Sequence, residues 1–294
     1  MNPILLSRRA FATGVLVSAG AAYAAKSATP TPATIVERIQ RTCAERGVEW
    51  QKETVDTFKI GPVDTPVTGV ISTFMATIAV MRKAVALGAS FIVSHEPIFY
   101  NHLDDTNALQ ADPVYQAKVR FATQHGLTVW RFHDHWHKIK PEPMSSASIE
   151  ELGWARYLDN GSEGFRRTFT RPETTLRAVA EEIANRYPSA SVRVIGRPDL
   201  PVRRIVNIGH GVNDVVKAFA IGDIAIAPEV REWDSAELTR DVVMLHANKG
   251  LILIAHERGE EGGMKLCSEW LTRLVPEVAV VYINSGEPFT ALSA

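Results

Sequence analysis

The sequence predicts an α/β protein made of two halves, each with a mostly parallel sheet that helices cover. Short apolar runs typical of strands alternate with amphipathic stretches typical of helices, and this pattern favours parallel sheets covered on both faces. The 294 residues are enough for one large or two modest domains. A stretch rich in Pro, Ser and Gly at residues 138–164 separates two runs of the pattern. We therefore expect one half at residues 33–160 and the other at residues 161–294.

Residues 1–25 have the features of an export signal. Arg8 and Arg9 precede an uncharged apolar stretch and a small-residue Ala-Tyr-Ala site at residues 22–24. The adjacent arginines resemble the twin-arginine signal, which predicts export by the twin-arginine machinery to the periplasm. The apolar stretch is too short for a spanning helix, and no other stretch is long enough, so we expect no stable membrane insertion. Residues 26–32, rich in Thr, Pro and Ala, are predicted to be a linker.

The first half is predicted to alternate helices and strands. Ile35, Ile39 and Cys43 are spaced four apart, which predicts one buried face on the first helix. Gly88 and Gly126 follow two amphipathic stretches and are typical helix ends. The predicted elements are helix 34–46, strand 67–72, helix 75–87, strand 91–94, helix 113–125 and strand 127–132.

The second half repeats the alternation after a short helix predicted at residues 148–158. A helix-Gly-strand-His order occurs once in each half, ending at His95 and at His256, and this suggests an internal pseudo-repeat. The predicted elements are strand 167–170, helix 174–187, strands 191–195 and 204–208, a short helix from residue 213, strand 223–227, helix 235–248, strand 251–255, helix 262–274 and strand 278–283.

Composition excludes several classes of protein. The chain is 46% hydrophobic and carries 32 Lys and Arg against 33 Asp and Glu, with a pI of about 6.8. It is therefore not a disordered chain, and its charge gives no reason to expect a nucleic-acid partner. Cys43 and Cys267 are too few for a disulfide framework and too far apart for a Cys-based zinc motif. Chemistry should rest on carboxylates and the nine histidines.

Three segments place possible metal ligands directly after a predicted strand. Ligands bind beyond the carboxyl ends of the strands in α/β proteins, so the three segments can converge between the halves. Three alternating imidazoles in one run disfavour one another unless a metal or a carboxylate is near. We therefore predict a metal site. The segments are His95 with Glu96, the run from His133 to His137, and His256 with Glu260.

These segments resemble, in order, the motifs of the Nif3-like family (NGG1p-interacting factor 3). This family is also described as dinuclear metal centre or GTP cyclohydrolase 1 type 2-like proteins. The resemblance extends over about residues 34–290. The family's His-His-Pro motif corresponds to residues 95–97, its His-Thr-Asn-Leu-Asp motif to residues 133–137, and its His followed four residues later by Glu to His256 and Glu260.

The resemblance implies a site for two divalent metal ions. Glu96 stands where the family has His, and His137 stands where it has Asp, so three imidazoles and two carboxylates are kept. The exchange leaves open which ligands bridge, and whether His133 or Asp134 replaces His137. Nitrogen and oxygen ligands without thiolates fit Zn, Fe or Mn. Carried over by position, the implied ligands are His95, Glu96, His137, His256 and Glu260.

A dinuclear site predicts a metal-dependent hydrolase that acts on a small-molecule substrate, because two ions can activate a shared water. Glu229 matches the family's glutamate near the site and is the candidate catalytic base, or else an acid stabilised by a helix N-terminus. The alternative function is a non-catalytic metal-binding or assembly protein. GTP is scarce outside the cytoplasm, which argues against the family's cyclohydrolase activity here. The resemblance also implies a homo-oligomer, with a ring-shaped hexamer as the family form.

Further aromatic and histidine side chains lie near the predicted site. Aromatic residues near a strand end more often belong to the core than to a pocket. No role is assigned to His125, His210 or His246. The candidates for lining the pocket are Tyr100, His102, Trp136 and Trp233.

Overall fold

The computed structural model describes residues 28–187 and 192–290. The predicted export signal lies outside the described residues. Within them, no helix combines the length and the apolar character needed to cross a membrane. The helices are α1 (Pro32–Glu45), α2 (Ile78–Ala86), α3 (Pro113–Gln124), α4 (Pro143–Leu152), α5 (Leu176–Arg186), α6 (Val212–Ile221), α7 (Glu237–Met244) and α8 (His256–Leu274). The strands are β1 (Phe58–Ile60), β2 (Val70–Met75), β3 (Phe91–Glu96), β4 (Thr128–Arg131), β5 (Arg167–Thr175), β6 (Arg193–Ile195), β7 (Pro201–Asn207), β8 (Ile224–Ala227), β9 (Gly250–Leu253) and β10 (Val280–Tyr282).

The first sheet has the strand order β1-β4-β3-β2-β10. Strands β4, β3, β2 and β10 are parallel to their neighbours, and the edge strand β1 pairs antiparallel with β4. The sequence pattern does not predict β1, because its three half-buried residues are too few to show an apolar run or an alternation of apolar and polar residues. Strand β10 comes from the end of the chain, so the C-terminal segment completes the first sheet rather than the second.

The second sheet has the strand order β5-β7-β8-β9-β6. Its three central strands are parallel, and both edge strands run antiparallel to their neighbours. The side chains of Ile224 and Ile226 face one core, whereas those of Ala225 and Ala227 face the other. This alternation follows from the two-residue period of a strand and explains why β8 is apolar throughout.

Helices cover both faces of each sheet, as the alternating pattern predicts. On the first sheet, Phe91 packs in the core that contains Ile39 of α1 and Trp270 of α8. The opposite face of the same sheet packs Ile92 with Met81 of α2. The central strands of each sheet are therefore buried on both sides.

Two helices begin five or more residues earlier than the sequence pattern predicts. Helix α4 begins at Pro143 because proline fits the first helical turn. The Glu142 carboxylate also accepts hydrogen bonds from the backbone N–H groups of Met144 and Ser145. Helix α8 begins at His256 and not at residue 262, so the Gly-rich stretch that resembles a loop is helical. A Cβ on Gly262 would lie 2.9 Å from Ala147 Cβ, and one on Gly263 would lie 3.0 Å from Met144 Cα. These glycines permit the close crossing of α8 with α4.

We expect Gly263→Ala to lower the free energy of unfolding by about 1–2 kcal/mol. Overpacking against the α4 backbone costs about 1–3 kcal/mol, and the gain in helix propensity offsets only part of it. Thermal unfolding followed by circular dichroism measures the change. The matched control is Glu269→Ala at an exposed position of α8. A Gly263→Ala protein that unfolds at or above the wild-type temperature would contradict the crossing described here.

Candidate metal centre

Polar side chains at the carboxyl ends of strands from both sheets meet in one cluster. His95 and Glu96 end β3, and the run of residues 133–137 follows β4. From the second sheet, His256 opens α8 directly after β9. The turn between them is made by Ala255, whose φ of 73° is rare for a residue with a Cβ. The convergence expected from the strand pattern is present in the structure.

Two carboxylate oxygens lie among the imidazoles. Glu260 Oε2 is 3.3 Å from His95 Nε2 and 3.2 Å from His256 Nε2. Glu96 Oε1 is 3.9 Å from His95 Nε2, 3.8 Å from His256 Nε2 and 3.6 Å from His133 Nε2. Ligand atoms about 2.0–2.1 Å from a tetrahedral zinc ion are about 3.3 Å from one another. The spacing in the cluster is therefore close to that of atoms around a shared cation.

The backbone fixes the orientation of His95, which is fully buried. Its Nδ1 lies 3.1 Å from the carbonyl oxygen of Phe132. Because a carbonyl only accepts hydrogen bonds, Nδ1 carries the hydrogen and the Nε2 lone pair faces the cluster. That is the tautomer a metal ligand needs.

Carboxylates orient two further imidazoles in the same way. His137 Nδ1 is 2.9 Å from Glu142 Oε1, and His133 Nδ1 is 2.9 Å from Asp134 Oδ1. One ring nitrogen from each of His95, His133 and His137 lies within 4.8 Å of the other two. A carboxylate behind the imidazole is the usual second partner of a metal-bound histidine. The geometry thus brings both His133 and His137 to the cluster.

Asp134 points away from the cluster. Its Oδ2 accepts hydrogen bonds from Thr54 Oγ1 at 2.7 Å and from the Val55 N–H at 3.1 Å. With Oδ1 paired to His133, both oxygens are occupied by protein groups. Of the alternatives left open by the sequence, the structure places His133 and His137 in position to bind a cation, and Asp134 behind one of them.

The middle histidine of the run, His135, is a structural residue. Its Nδ1 pairs with Asp56 Oδ2 at 2.7 Å, and its Nε2 accepts the Gln51 N–H at 2.8 Å. The ring is fully buried and stacks on Trp50 with centroids 3.7 Å apart. Both nitrogens are satisfied by protein groups, so His135 has no lone pair to offer a metal.

Asp56 fixes the loop that carries the three histidines, and sequence analysis missed it. Its buried carboxylate accepts hydrogen bonds from the backbone N–H groups of His133, Asp134 and His135, at 2.7–2.9 Å. These donors lie more than 75 residues along the chain, so no local spacing connects them to Asp56. The sequence contains no signal for this contact.

Glu229 and His210 lie on the outer side of His256. Glu229 Oε1 is 3.5 Å from His256 Nδ1 and 4.0 Å from His210 Nδ1. Glu229 therefore orients His256, while its own carboxylate stays half exposed. It lies three residues before the helical turn Glu232–Ala236 that leads into α7, and the acidic residues of that first turn are Glu232 and Asp234. His210 follows β7, and the predicted ligands also follow strands. That shared position is the feature of the sequence from which His210 could have been predicted to lie near the site.

A cleft of about 660 Å³ adjoins His256. Apolar side chains such as Phe74 and Phe289 line much of it, and Glu229 contributes a carboxylate. Its size suits a small molecule. Trp136 is a core residue at 3% exposure and Trp233 is 72% exposed, and neither belongs to the described lining of the cleft.

The remaining pocket candidates lie on the other side of the cluster. The Tyr100 ring covers the amine of Lys118 at 5.1 Å and is largely exposed. The His102 ring makes an edge contact with His133, with ring centroids 5.7 Å apart. Neither residue is among those lining the cleft beside His256.

Burial and neighbouring charges shift the pKa values of the ionisable groups in the cluster. Burial opposes the charged form of His256, but Glu260, Glu229 and Glu96 outweigh burial and raise its pKa well above the usual value. Burial also opposes ionisation of Glu260, but His256 and His95 hold its pKa well below the usual value. Burial, with His95 and His137 nearby, lowers the pKa of His133 to about 4. Positive charge on His256 and negative charge on Glu260 thus favour each other, and a divalent cation would supply the same compensation to the carboxylates.

The donor set fits a metal centre. Among the described residues, His95 Nε2, His256 Nε2 and Glu260 Oε2 are buried without a hydrogen-bond partner of good geometry. Buried polar atoms are nearly always hydrogen-bonded, so three such atoms facing one another need an explanation. A divalent cation would satisfy all three. Imidazole and carboxylate donors suit Zn, Fe or Mn, as the sequence predicts.

We expect Asp56→Asn to destabilise the protein by about 2–3 kcal/mol, because the amide NH₂ cannot accept the N–H groups that the carboxylate now accepts. Chemical denaturation followed by tryptophan fluorescence measures the difference. Asp64→Asn, at an exposed position, is the control and should change the stability little. Equal stability of the two variants would show that Asp56 does not fix the loop.

Comparison with known proteins identifies the family of this chain. A family model described as Duf34/NIF3 (NGG1p interacting factor 3) matches residues 50–288. No curated protein matches the chain. Several solved structures match it with sequence identities below 25%, which establish a shared fold alone.

Three of these structures cover nearly the whole chain. Hypothetical protein SA1388 from Staphylococcus aureus is 18% identical, with 89% of this chain and 100% of that chain covered and a TM-score of 0.67. A Bacillus cereus protein related to NIF3 is 14% identical, with 90% and 100% covered and a TM-score of 0.70. Reduced HcgD from Methanocaldococcus jannaschii is 13% identical, with 86% and 97% covered and a TM-score of 0.60.

These structures share the two sheets and their helices, which confirms the predicted fold class. The family model covers most of the chain and includes all three segments that carry the cluster. The chain therefore belongs to the Duf34/NIF3 family.

Proposed function

We propose that this protein binds two divalent metal ions at the His/Glu cluster and hydrolyses a small molecule there. The observation that carries the proposal is a set of three buried atoms without hydrogen-bond partners of good geometry: His95 Nε2, His256 Nε2 and Glu260 Oε2. Both nitrogens lie within 3.3 Å of the Glu260 oxygen. The proposed ligands are those implied by the sequence, with His133 added by the geometry: His95, Glu96, His133, His137, His256 and Glu260.

The number of donor residues supports two ions rather than one. Among the described residues, three sets of donor atoms lie within 4.8 Å of one another: His95, His133 and His137; His95, Glu96 and Glu260; and His210, Glu229 and His256. A single ion does not accommodate four imidazoles and two carboxylates in a tetrahedral shell. Carboxylates can bridge two ions, and both glutamates lie between imidazoles of different segments. Zn, Fe and Mn remain the proposed metals.

The residues around the cluster suit hydrolysis of a molecule held in the adjoining cleft. Divalent ions supply Lewis-acid activation of water and of the bond under attack. The hydrogen bond from His256 lowers the pKa of Glu229, so its carboxylate is ionised at neutral pH and able to accept a proton. Glu229 also lines the cleft, next to His256. It is the proposed base, acting where substrate and cluster meet.

Two further predictions from the sequence remain part of the proposal. Export by the twin-arginine machinery to the periplasm rests on residues 1–25. A homo-oligomer, with the hexamer as the family form, rests on the resemblance of the motifs. The alternative function, metal binding or assembly without turnover, is one outcome of the experiment below.

We expect purified protein to contain two metal ions per chain and to hydrolyse at least one member of a panel of phosphoesters, amides and cyclic imidates. Glu260→Gln should lose at least one ion and the activity, because the amide replaces the buried carboxylate shared by His95 and His256. Glu269→Gln, on the exposed side of the same helix, is the control. Elemental analysis and product formation are the measurements.

The outcomes separate the two functions. Two ions with turnover support the hydrolase. Two ions without turnover across the panel favour the binding or assembly protein. Two results would contradict the dinuclear centre: a wild-type metal content in Glu260→Gln, or wild-type protein that contains no metal after anaerobic purification.

We expect metal binding to release protons and to weaken as the pH falls from 8 to 6. The carboxylates raise the pKa values of His256 and, against the opposing effect of burial, of His137. A metal ion must therefore displace protons that these rings hold in the metal-free state. Calorimetric titrations in buffers of different ionisation enthalpy count the released protons. Affinity that stays constant or rises towards pH 6 would contradict this account.

A further inference from the structure

Glu96 is the position where a carboxylate replaces the imidazole of the family motif, and a buried arginine lies behind it. Arg131 is 1% exposed, and its Nη2 lies 3.6 Å from Glu96 Oε2. The other oxygen of the same carboxylate, Oε1, faces three histidine Nε2 atoms of the cluster at 3.6–3.9 Å. The two oxygens of Glu96 thus face opposite partners.

The rest of the Arg131 side chain is held by fixed groups. Its Nε donates to the His95 carbonyl oxygen at 2.9 Å, and its Nη1 donates to the His102 carbonyl oxygen. Asp104 Oδ2 lies 3.6 Å from Nη1 and 3.3 Å from Lys59 Nζ. A line of alternating charges therefore runs from Lys59 through Asp104 and Arg131 to Glu96.

Among the described residues, Arg131 Nη2 has no hydrogen-bond partner of good geometry, and this buried atom faces Glu96. An unpaired buried charge is costly, so the guanidinium and the carboxylate each need the other. A guanidinium also keeps its charge at any physiological pH. One Glu96 oxygen is thereby held away from the cluster while the other is aimed into it.

We propose that Arg131 is a positioning residue that makes Glu96 a ligand through Oε1 alone. The inference rests on the proposed metal centre and adds to it the way in which this chain orients its exceptional ligand. It also gives a reason for the exchange of His for Glu at residue 96. An imidazole there would leave Arg131 Nη2 without the carboxylate that faces it, and Asp104 would remain beside Nη1 alone. Glu96 and Arg131 therefore act as a pair.

The pair predicts non-additive effects on metal affinity, measured by chelator competition with zinc. Arg131→Met should weaken the binding of at least one ion by about 10- to 100-fold, the usual effect of losing a group that orients a ligand. Glu96→His alone should also weaken binding, because the new imidazole faces Arg131 Nη2, which then has no carboxylate opposite it. The double variant Glu96→His/Arg131→Met should lose less metal affinity than the product of the two single fold-losses.

Two further variants separate positioning from a purely structural role. Arg171→Met removes a half-buried arginine that is paired with Glu182 in the second sheet, and should leave metal affinity unchanged. Arg131→Lys keeps the charge but cannot contact the His95 and His102 carbonyls and face Glu96 at the same time, as the planar guanidinium does. It should change the visible absorption spectrum of the cobalt-loaded protein, which reports coordination geometry.

Each result supports or overturns the inference. Wild-type affinity in Arg131→Met, additive effects in the double variant, or an unchanged cobalt spectrum in Arg131→Lys would overturn it. If Arg131→Met does not fold, the cobalt spectrum of Arg131→Lys decides. Wild-type protein that binds no metal would instead overturn the proposed centre itself. If wild-type protein binds two ions, a negative result with the Arg131 variants overturns only the positioning role of Arg131.

Discussion

The buried carboxylate of Glu260 connects the two sheets at the site. It lies on α8, which follows the last parallel strand of the second sheet and packs on the first. Its Oε2 contacts His95, from the first sheet, and His256, from the end of the second. A carboxylate in this position is costly without positive charge around it. The requirement to compensate that charge, by protonated imidazole or by a cation, governs the arrangement of the surrounding side chains.

Orientation of the imidazoles comes from groups behind them. A carbonyl oxygen fixes His95, and carboxylates fix His133, His137 and His256 through their Nδ1 atoms. Each Nε2 is thereby left to face the cluster. These supporting groups come from different strands and loops, so the site depends on the correct packing of both sheets. The glycines at the α8–α4 crossing belong to the same requirement, because they set how closely the helix that carries Glu260 approaches its neighbour.

The sequence predicted the elements whose pattern is local and missed those that depend on distant contacts. Strand ends predicted that His95 and His256 would contribute to one site, because ligands bind beyond the carboxyl ends of the strands in α/β proteins. By contrast, the role of Asp56 depends on backbone groups more than 75 residues away. Helix α8 was predicted to begin too late, because its glycines resemble a loop until the packing against α4 is known. The motif comparison left His133 as an alternative to His137, and only the geometry shows both rings at the cluster.

The central claim is that the cluster holds two divalent ions, and anomalous X-ray diffraction at the metal absorption edge tests it most directly. Crystals of metal-loaded protein should give two anomalous peaks about 3.5–4 Å apart, the usual separation in two-metal sites, with Glu260 contacting one or both. Absence of anomalous signal between His95 and His256 in crystals of protein shown to contain metal, or peaks only elsewhere on the chain, would contradict the account.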